Sequence, residues 1–156
     1  MPKIIYSVTI NQPIGKVFRF ATDFKRIAQW QTDTKDFHCS ENKPRVGIFI
    51  THTRSTRLLR WKLDLNADIT DYRTNKMLEY KGALGHFHAH DLLEFSSKGR
   101  STIITETINI RMGFLNSIFV PLMKRVMQKR TKKALNKLKE LLEAGAPTAP
   151  VDDDNE

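Results

Sequence analysis

The chain has 156 residues, a length that fits a single domain with one hydrophobic core. Lysine and arginine number 26, against 17 acidic residues. Four of the acids lie in the last five positions, so the rest of the chain has 13 acids and a net charge of +13. Such a charge favours anionic partners but does not indicate a fold. The single cysteine, Cys39, excludes an internal disulfide and multi-cysteine metal sites, and no apolar run resembles a signal peptide or a membrane span, so we expect a cytoplasmic protein.

The first two thirds of the chain predict one strand, two short helices and then a series of strands. Residues 4–10 alternate between apolar and polar, as in a half-buried strand. Pro13 suits the first turn of a helix, and Asp23 is expected to divide the following segment into two short helices that end near Trp30. From Lys35 to Arg111 a period of two predicts six more strands, with turns at residues 42–44, 74–75, 82–85 and 97–99.

A long amphipathic helix is predicted after Gly113. Its apolar stripe has the 3.6-residue period of a helix and consists of Val120, Met123, Met127, Thr131, Ala134, Leu138 and Leu141. Pro121 marks the start of this helix or a bend in it. Residues 144–156, rich in alanine, proline and acids, predict a disordered acidic tail, so the folded domain is expected to span residues 1–143.

This order of elements predicts an α+β fold in which the terminal helix lies on an antiparallel sheet. The segment PIGKVFRFATDFKRIAQW, Gly47, the hairpin at Lys98 and Gly99 and the closing helix 122–142 together resemble the SRPBCC or START-like superfamily. The polyketide cyclase/dehydrase-like group, with the same fold as the birch-pollen allergens, is the most similar. The resemblance implies a helix-grip fold, in which a seven-stranded antiparallel sheet wraps around the C-terminal helix and encloses an apolar cavity.

Members of this superfamily bind or carry hydrophobic molecules, and some are enzymes, so the resemblance implies a ligand site between the sheet and the helix. Side chains expected to line it are Trp61, Leu63, Tyr80, Phe87, Asp91, Phe95, Glu106, Met123 and Met127. The expected ligand is a hydrophobic or amphiphilic small molecule, lipid-like or polyketide-like. A core filled by side chains would contain the same residue types.

Two carboxylates mark the proposed interior. A turn at Lys98 and Gly99 pairs Asp91 directly with Glu106 on the apolar face of the last hairpin. Opposed carboxylates repel, so the pair would share a proton or enclose a cation, and would fix a polar ligand group or act as general base and acid. A different register, or a position at the rim, would remove this pairing. We expect binding rather than catalysis, with a cofactor-independent cyclase or dehydratase as the alternative and no cofactor in either case.

Three histidines, His86, His88 and His90, recur at every second position and so lie on one face of a strand. Alternating histidines can hold zinc or copper when a further ligand completes the geometry. The predicted pairing places them on the polar face, opposite Arg111, Asn109 and Thr107, so we expect no physiological metal.

The terminal helix is strongly basic. Residues 114–143 contain eight lysines and arginines and two glutamates, preceded by an apolar run. We expect a solvated basic face on a soluble helix, and a helix that contacts an anionic membrane surface or receives anionic lipids is the alternative. Nucleic acid ranks below lipid, because no aromatic residues alternate with the basic ones to stack on bases.

Overall fold

The fold begins with a strand and a short helical segment and continues as strands up to the terminal helix. The structure, a computed structural model, describes residues 3–32, 34–40, 45–47, 49–55, 62–84 and 87–145. Its helices are α1 (Ile14–Thr22), α2 (Ile27–Trp30) and α3 (Val120–Glu143), with 3₁₀ segments at Phe24–Arg26 and Phe114–Phe119. Its strands are β1 (Lys3–Ile10), β2 (Thr34–Cys39), β3 (Phe49–Ser55), β4 (Lys62–Arg73), β5 (Met77–Leu84), β6 (Phe87–Lys98) and β7 (Ser101–Arg111).

Asp23 divides the helical segment after β1, as predicted. It lies beyond the end of α1, and its side chain accepts a hydrogen bond from the backbone N–H of Lys25. An aspartate in this capping position satisfies a backbone donor that the following helical turn leaves free. The two short helices after the first strand are therefore confirmed.

All the strands join one antiparallel sheet in the order β1-β7-β6-β5-β4-β3-β2. Burial alternates along β7, where residues 102, 104, 106, 108 and 110 are buried and their neighbours are not. One face of the sheet is thus the inner face, and α3 lies against it, with β1 as its main partner among the strands. The predicted α+β class, with a long C-terminal helix on a sheet, is confirmed.

The interior contains two apolar clusters. The first joins α1, α2 and the second half of α3 to the sheet, and includes Phe18, Trp30, Leu93 and Leu138. The second consists of Ile4, Ile108, Ile110, Met123 and Met127, with Phe87 and Met112 packed against it. Because β6 begins and β7 ends near this second cluster, we call this end of the sheet the Phe87 end.

The terminal helix begins at the predicted place. Val120 is its first residue and Pro121 lies in the first turn, where a missing N–H costs nothing. Its buried side chains are Met123, Met127, Thr131, Ala134, Leu135, Leu138 and Leu142. Among the described residues, no helix has the length and apolarity to cross a membrane. Of the predicted tail, residues 146–156 lie outside the part described.

The register of the last hairpin differs from the prediction. Lys98 pairs with Ser101, so the two-residue loop is Gly99 and Arg100 rather than Lys98 and Gly99. Gly99 has a φ of 60°, and a two-residue hairpin loop that begins with positive φ takes glycine at its first position. The shift is two residues, so every side chain keeps its predicted face while its partner on the neighbouring strand changes.

Candidate functional site

The inner face of the sheet is sealed at one end and partly accessible at the Phe87 end. Leu78 and Leu93 are fully buried in the first cluster, whereas Phe87, Ala89 and Asp91 remain half-buried on the same face. Because side chains alternate along a strand, Phe87, Ala89 and Asp91 all point to the interior side. The accessible part of the inner face is therefore the first half of β6.

Small residues cross the sheet at this place. Ala67 pairs with Gly82, and Gly82 pairs with Ala89, so three adjacent strands present nothing larger than a methyl group. The row continues to Ile110 on β7. The side chains of the inner face are therefore smallest along this row.

Asp91 and Glu106 both face the interior, but they are not directly opposite each other. Asp91 pairs with Tyr80 and Ile108, and Glu106 pairs with Leu93 and Tyr6. The predicted direct pairing is wrong, because the hairpin loop requires Gly99 at its first position. The two carboxylates are diagonal neighbours, a placement that avoids the direct opposition of like charges. Glu106 is 1% exposed, whereas Asp91 is half-buried.

A third polar side chain, Thr131 of α3, belongs to the same zone of the interior. Along α3 it lies between Met127 of the second cluster and Ala134 of the first, as Glu106 lies between Ile108 and Ile104 on β7. We call Asp91, Glu106 and Thr131 the polar seam, since they lie where the two clusters meet. The hydroxyl of Thr131 is buried and has no hydrogen-bond partner among the described residues.

A second buried polar group lies where α2 faces α3. Arg130 donates a hydrogen bond to the side-chain oxygen of Gln31 at 3.0 Å. The indole N–H of Trp30 and the hydroxyl of Thr34 are buried, and neither has a hydrogen-bond partner in the part of the chain that the structure describes. None of these four residues was predicted. On α3, the hydroxyl of Thr131, which interrupts an otherwise apolar helical stripe, was the sequence signal of a polar group in the interior.

The remaining predicted lining residues fall into the two clusters. Tyr80 and Phe95 belong to the first cluster, Met123 and Met127 to the second, and Phe87 packs against the second. Trp61 lies outside the described residues, and Leu63 is described only as backbone within β4. The structure thus distributes these side chains along the whole interior instead of bringing them to one point.

His88, His90 and Glu79 belong to the outer face of the sheet. His88 is exposed, His90 lies 2.6 Å from Glu79, and His86 falls outside the described residues. The hydroxyl of Thr70 donates to the other oxygen of Glu79 at 2.5 Å. Within the described ranges, no three histidine, cysteine or acidic side chains are grouped so that they could hold a metal ion.

The pKa of Glu79 reflects two opposing causes. Burial raises the pKa of this carboxyl, but the hydrogen bonds from Thr70 and His90, with the charges of Lys81 and His90, outweigh burial and hold it below its usual range. The Lys81 ammonium lies 3.5 Å from Glu79. This outer network is a structural ion-pair group and lies on the opposite face from the seam.

The basic residues of α3 lie largely on its outer surface. Lys124, Arg125, Lys129, Lys132 and Lys133 are exposed. Lys129 and Lys132 also border a surface groove between α3 and β1 that includes Ile4, Ile5, Tyr6 and Gln128. The predicted basic face is thus accessible to solvent.

Comparison with known proteins places the chain in a family. Residues 1–143 match the family described as "Polyketide cyclase / dehydrase and lipid transport". The chain belongs to this family. No curated protein matches the sequence. The predicted resemblance to the polyketide cyclase/dehydrase-like group is confirmed.

Solved structures share the fold at low sequence identity. A protein of Thermus thermophilus is 14% identical, with a TM-score of 0.79, over 94% of this chain and all of that one. Ara h 8.0201 is 9% identical, with a TM-score of 0.71, over 92% of this chain and 98% of that one. DynU16, a protein of the dynemicin biosynthetic locus, is 14% identical, with a TM-score of 0.68, over 96% of this chain and 50% of that one. At these identities the likeness concerns the fold alone.

Proposed function

We propose that this protein binds a small amphiphilic molecule between the inner face of the sheet and α3, with the polar end of the ligand at the polar seam. The accessible inner face at the Phe87 end carries the proposal. Phe87, Ala89 and Asp91 face the interior yet stay half-buried, while Leu93 on the same strand is sealed. An apolar recess with a few convergent polar groups is the usual form of a small-molecule site.

The apolar body of the ligand would contact the second cluster. Met123 and Met127 project from α3 towards Ile108 and Ile110 of the sheet. Methionine side chains adapt to ligands of irregular shape because they are unbranched and polarizable. The row of Ala67, Gly82 and Ala89 supplies the room for such a body.

The polar end of the ligand would meet the seam. The hydroxyl of Thr131 is buried without a partner among the described residues, and such a group costs free energy until it forms a hydrogen bond. Asp91 and Glu106 add carboxylate oxygens, which accept hydrogen bonds from hydroxyl or amine groups. A lipid-like or polyketide-like ligand with a hydroxyl group satisfies these requirements, and the family description supports this ligand class.

The proposal is tested by filling the recess from the sheet side. Ala89→Phe adds a ring to the inner face, and we expect it to weaken binding of the neutral apolar dye Nile red by about tenfold or more. His88→Phe, on the outer face of the same strand, is the matched control and should bind the dye like the wild type. The smaller change Ala89→Leu covers the case in which the ring prevents folding.

A third variant, Phe114→Ser with Ile118→Ser, removes exposed apolar side chains and so measures how much dye binds to the surface. It should leave the binding of Nile red in the recess unchanged. If folded Ala89→Phe and Ala89→Leu proteins, with thermal transitions like that of the wild type, bind Nile red as tightly as His88→Phe, the inner face is not the binding site.

The second candidate is a cofactor-independent cyclase or dehydratase. The diagonal placement of Asp91 and Glu106 on one inner face favours it, since one carboxylate could remove a proton while the other, protonated, donates one. An Asp91→Asn protein that retains a bound substrate but loses its turnover would identify this activity.

A further inference from the structure

The segment that joins β7 to α3 exposes a group of large apolar side chains. Phe114 is 90% exposed, Ile118 79%, Phe119 50% and Leu122 38%. We call these four residues the apolar tip. Large apolar side chains scattered singly on a surface are ordinary, but four within nine consecutive positions form a patch of the kind that marks a binding surface.

Basic residues flank the apolar tip, and acidic residues are absent around it in the sequence. Arg111 precedes the tip, Lys124 and Arg125 follow it, and all three are exposed. Between residues 107 and 139 the sequence contains no aspartate or glutamate. The charged residues that flank the tip in the sequence are therefore all cationic, which suits a partner with a dense negative surface over an apolar interior.

We propose that the apolar tip docks on an anionic lipid bilayer. Its phenylalanine and aliphatic side chains would enter the boundary between headgroups and acyl chains, and Arg111, Lys124 and Arg125 would pair with anionic headgroups. Apolar insertion and basic attraction are separately weak and together give stable peripheral binding. The 3₁₀ helix Phe114–Phe119 presents these side chains from a segment with internal backbone hydrogen bonds, as insertion at the interface requires.

The apolar tip and the accessible part of the inner face lie at the same end of the sheet. The tip follows the last residue of β7, at the Phe87 end, where the inner face of the sheet is accessible. A docked protein would therefore turn the accessible end of its interior towards the bilayer. Exchange of an apolar ligand with the membrane would follow if the proposed ligand binding holds, but the docking itself does not rest on that function.

The test is sedimentation with vesicles of phosphatidylcholine, with and without phosphatidylserine at about a quarter of the lipid. We expect the full chain to bind the anionic vesicles, and Phe114→Ser with Ile118→Ser to lower the partition coefficient by about tenfold or more. Lys124→Gln with Arg125→Gln should abolish the preference for anionic over neutral vesicles. Added salt should weaken binding of the wild type and have less effect on this charge variant.

Val46→Ser is the matched control, because Val46 is an apolar side chain with 57% exposure that precedes β3, and β3 lies four strands away from β7 in the sheet. It should bind vesicles like the wild type. Failure of the wild type to bind anionic vesicles, or undiminished binding by Phe114→Ser with Ile118→Ser, would overturn the proposal. A third result would also overturn it: the variant loses self-association, measured by sedimentation velocity, but keeps its binding to vesicles. The tip would then join two copies of the chain.

These experiments distinguish membrane docking from ligand binding, because each is weakened by a different variant. Ala89→Phe should sediment with anionic vesicles as the wild type does. The variant Phe114→Ser with Ile118→Ser should still take up Nile red in the recess.

Discussion

Glu79 on the outer face of the sheet is a carboxylate whose neighbours favour its charged form. Thr70 donates to one oxygen at 2.5 Å, His90 lies 2.6 Å from the other, and Lys81 is 3.5 Å away. The side chain is 16% exposed, so solvent screens these contacts only in part. Because its pKa is lower in the folded than in the unfolded chain, Glu79 stabilises the fold above the ordinary carboxyl pKa near 4.5.

We therefore expect Glu79→Gln to lower the free energy of unfolding at about pH 7, with a deficit that shrinks as the pH falls below about 4.5 and the wild-type carboxyl takes up its proton. Urea denaturation of both proteins across this range measures the difference. A deficit that stays constant down to about pH 3 would show that the charge of Glu79 does not contribute to stability.

For Asp91 and Glu106, the sequence was enough to predict the face of the sheet but not the strand partners. Alternation along β6 and β7 was enough to place both carboxylates on the inner face, since a two-residue shift preserves the face. Their pairing depends on which residue of the loop has positive φ, and the sequence around Gly99 permits either of two loops. The hydrogen bond between Arg130 and Gln31 joins segments about a hundred residues apart, and no local pattern indicates it.

At the scale of elements, β4 and β5 approach each other closely at Gly82. A Cβ added at Gly82 would overlap the backbone oxygen of Asn66 and lie 2.5 Å from the Cα of Ala67. Backbone atoms cannot move aside as a flexible side chain can. We expect Gly82→Ala to destabilise the protein by about 1–3 kcal/mol, measured by urea denaturation.

Gly15 in α1 is the control for this prediction. Nothing lies within 4 Å of a Cβ added there, and alanine favours a helix by about 0.5–1 kcal/mol over glycine. Gly15→Ala should therefore be neutral or stabilising. Equal effects of the two substitutions would contradict the close approach of β4 and β5.

Elements with a strong period were predicted well, and those that depend on glycine were not. The 3.6-residue stripe of α3 and a start close to Pro121 follow from the sequence, because an amphipathic helix needs only one buried face. The turn predicted at residues 82–85 is wrong at its start, since Gly82, Ala83 and Leu84 complete β5. Glycine serves turns and close backbone contacts alike, and only the neighbouring strand distinguishes the two uses.

At the scale of the whole molecule, the basic residues of α3 and the polar seam differ in their exposure to solvent. The exposed basic residues of α3 lie on its outer surface, whereas the interior contains the polar seam between two apolar clusters. The net charge of +13 without the acidic tail therefore bears on surfaces such as the apolar tip, and the seam bears on the ligand. The composition was enough to indicate a basic surface. The polar seam is defined only by the paired strands and α3 together.

We expect the interior to recognise an apolar molecule by its polar end. Competition between two small molecules of equal length, one with a hydroxyl group and one without, tests this expectation most directly. Decanol and undecane are compared for displacement of Nile red from the wild type, from Thr131→Val and from Thr105→Val. Thr105 is the control, because it lies on the outer face with its hydroxyl 2.7 Å from that of Ser7. We predict that decanol displaces the dye better than undecane, although it is the less apolar, and that Thr131→Val alone reduces this preference by about tenfold. Equal or better displacement by undecane from the wild type would contradict the claim.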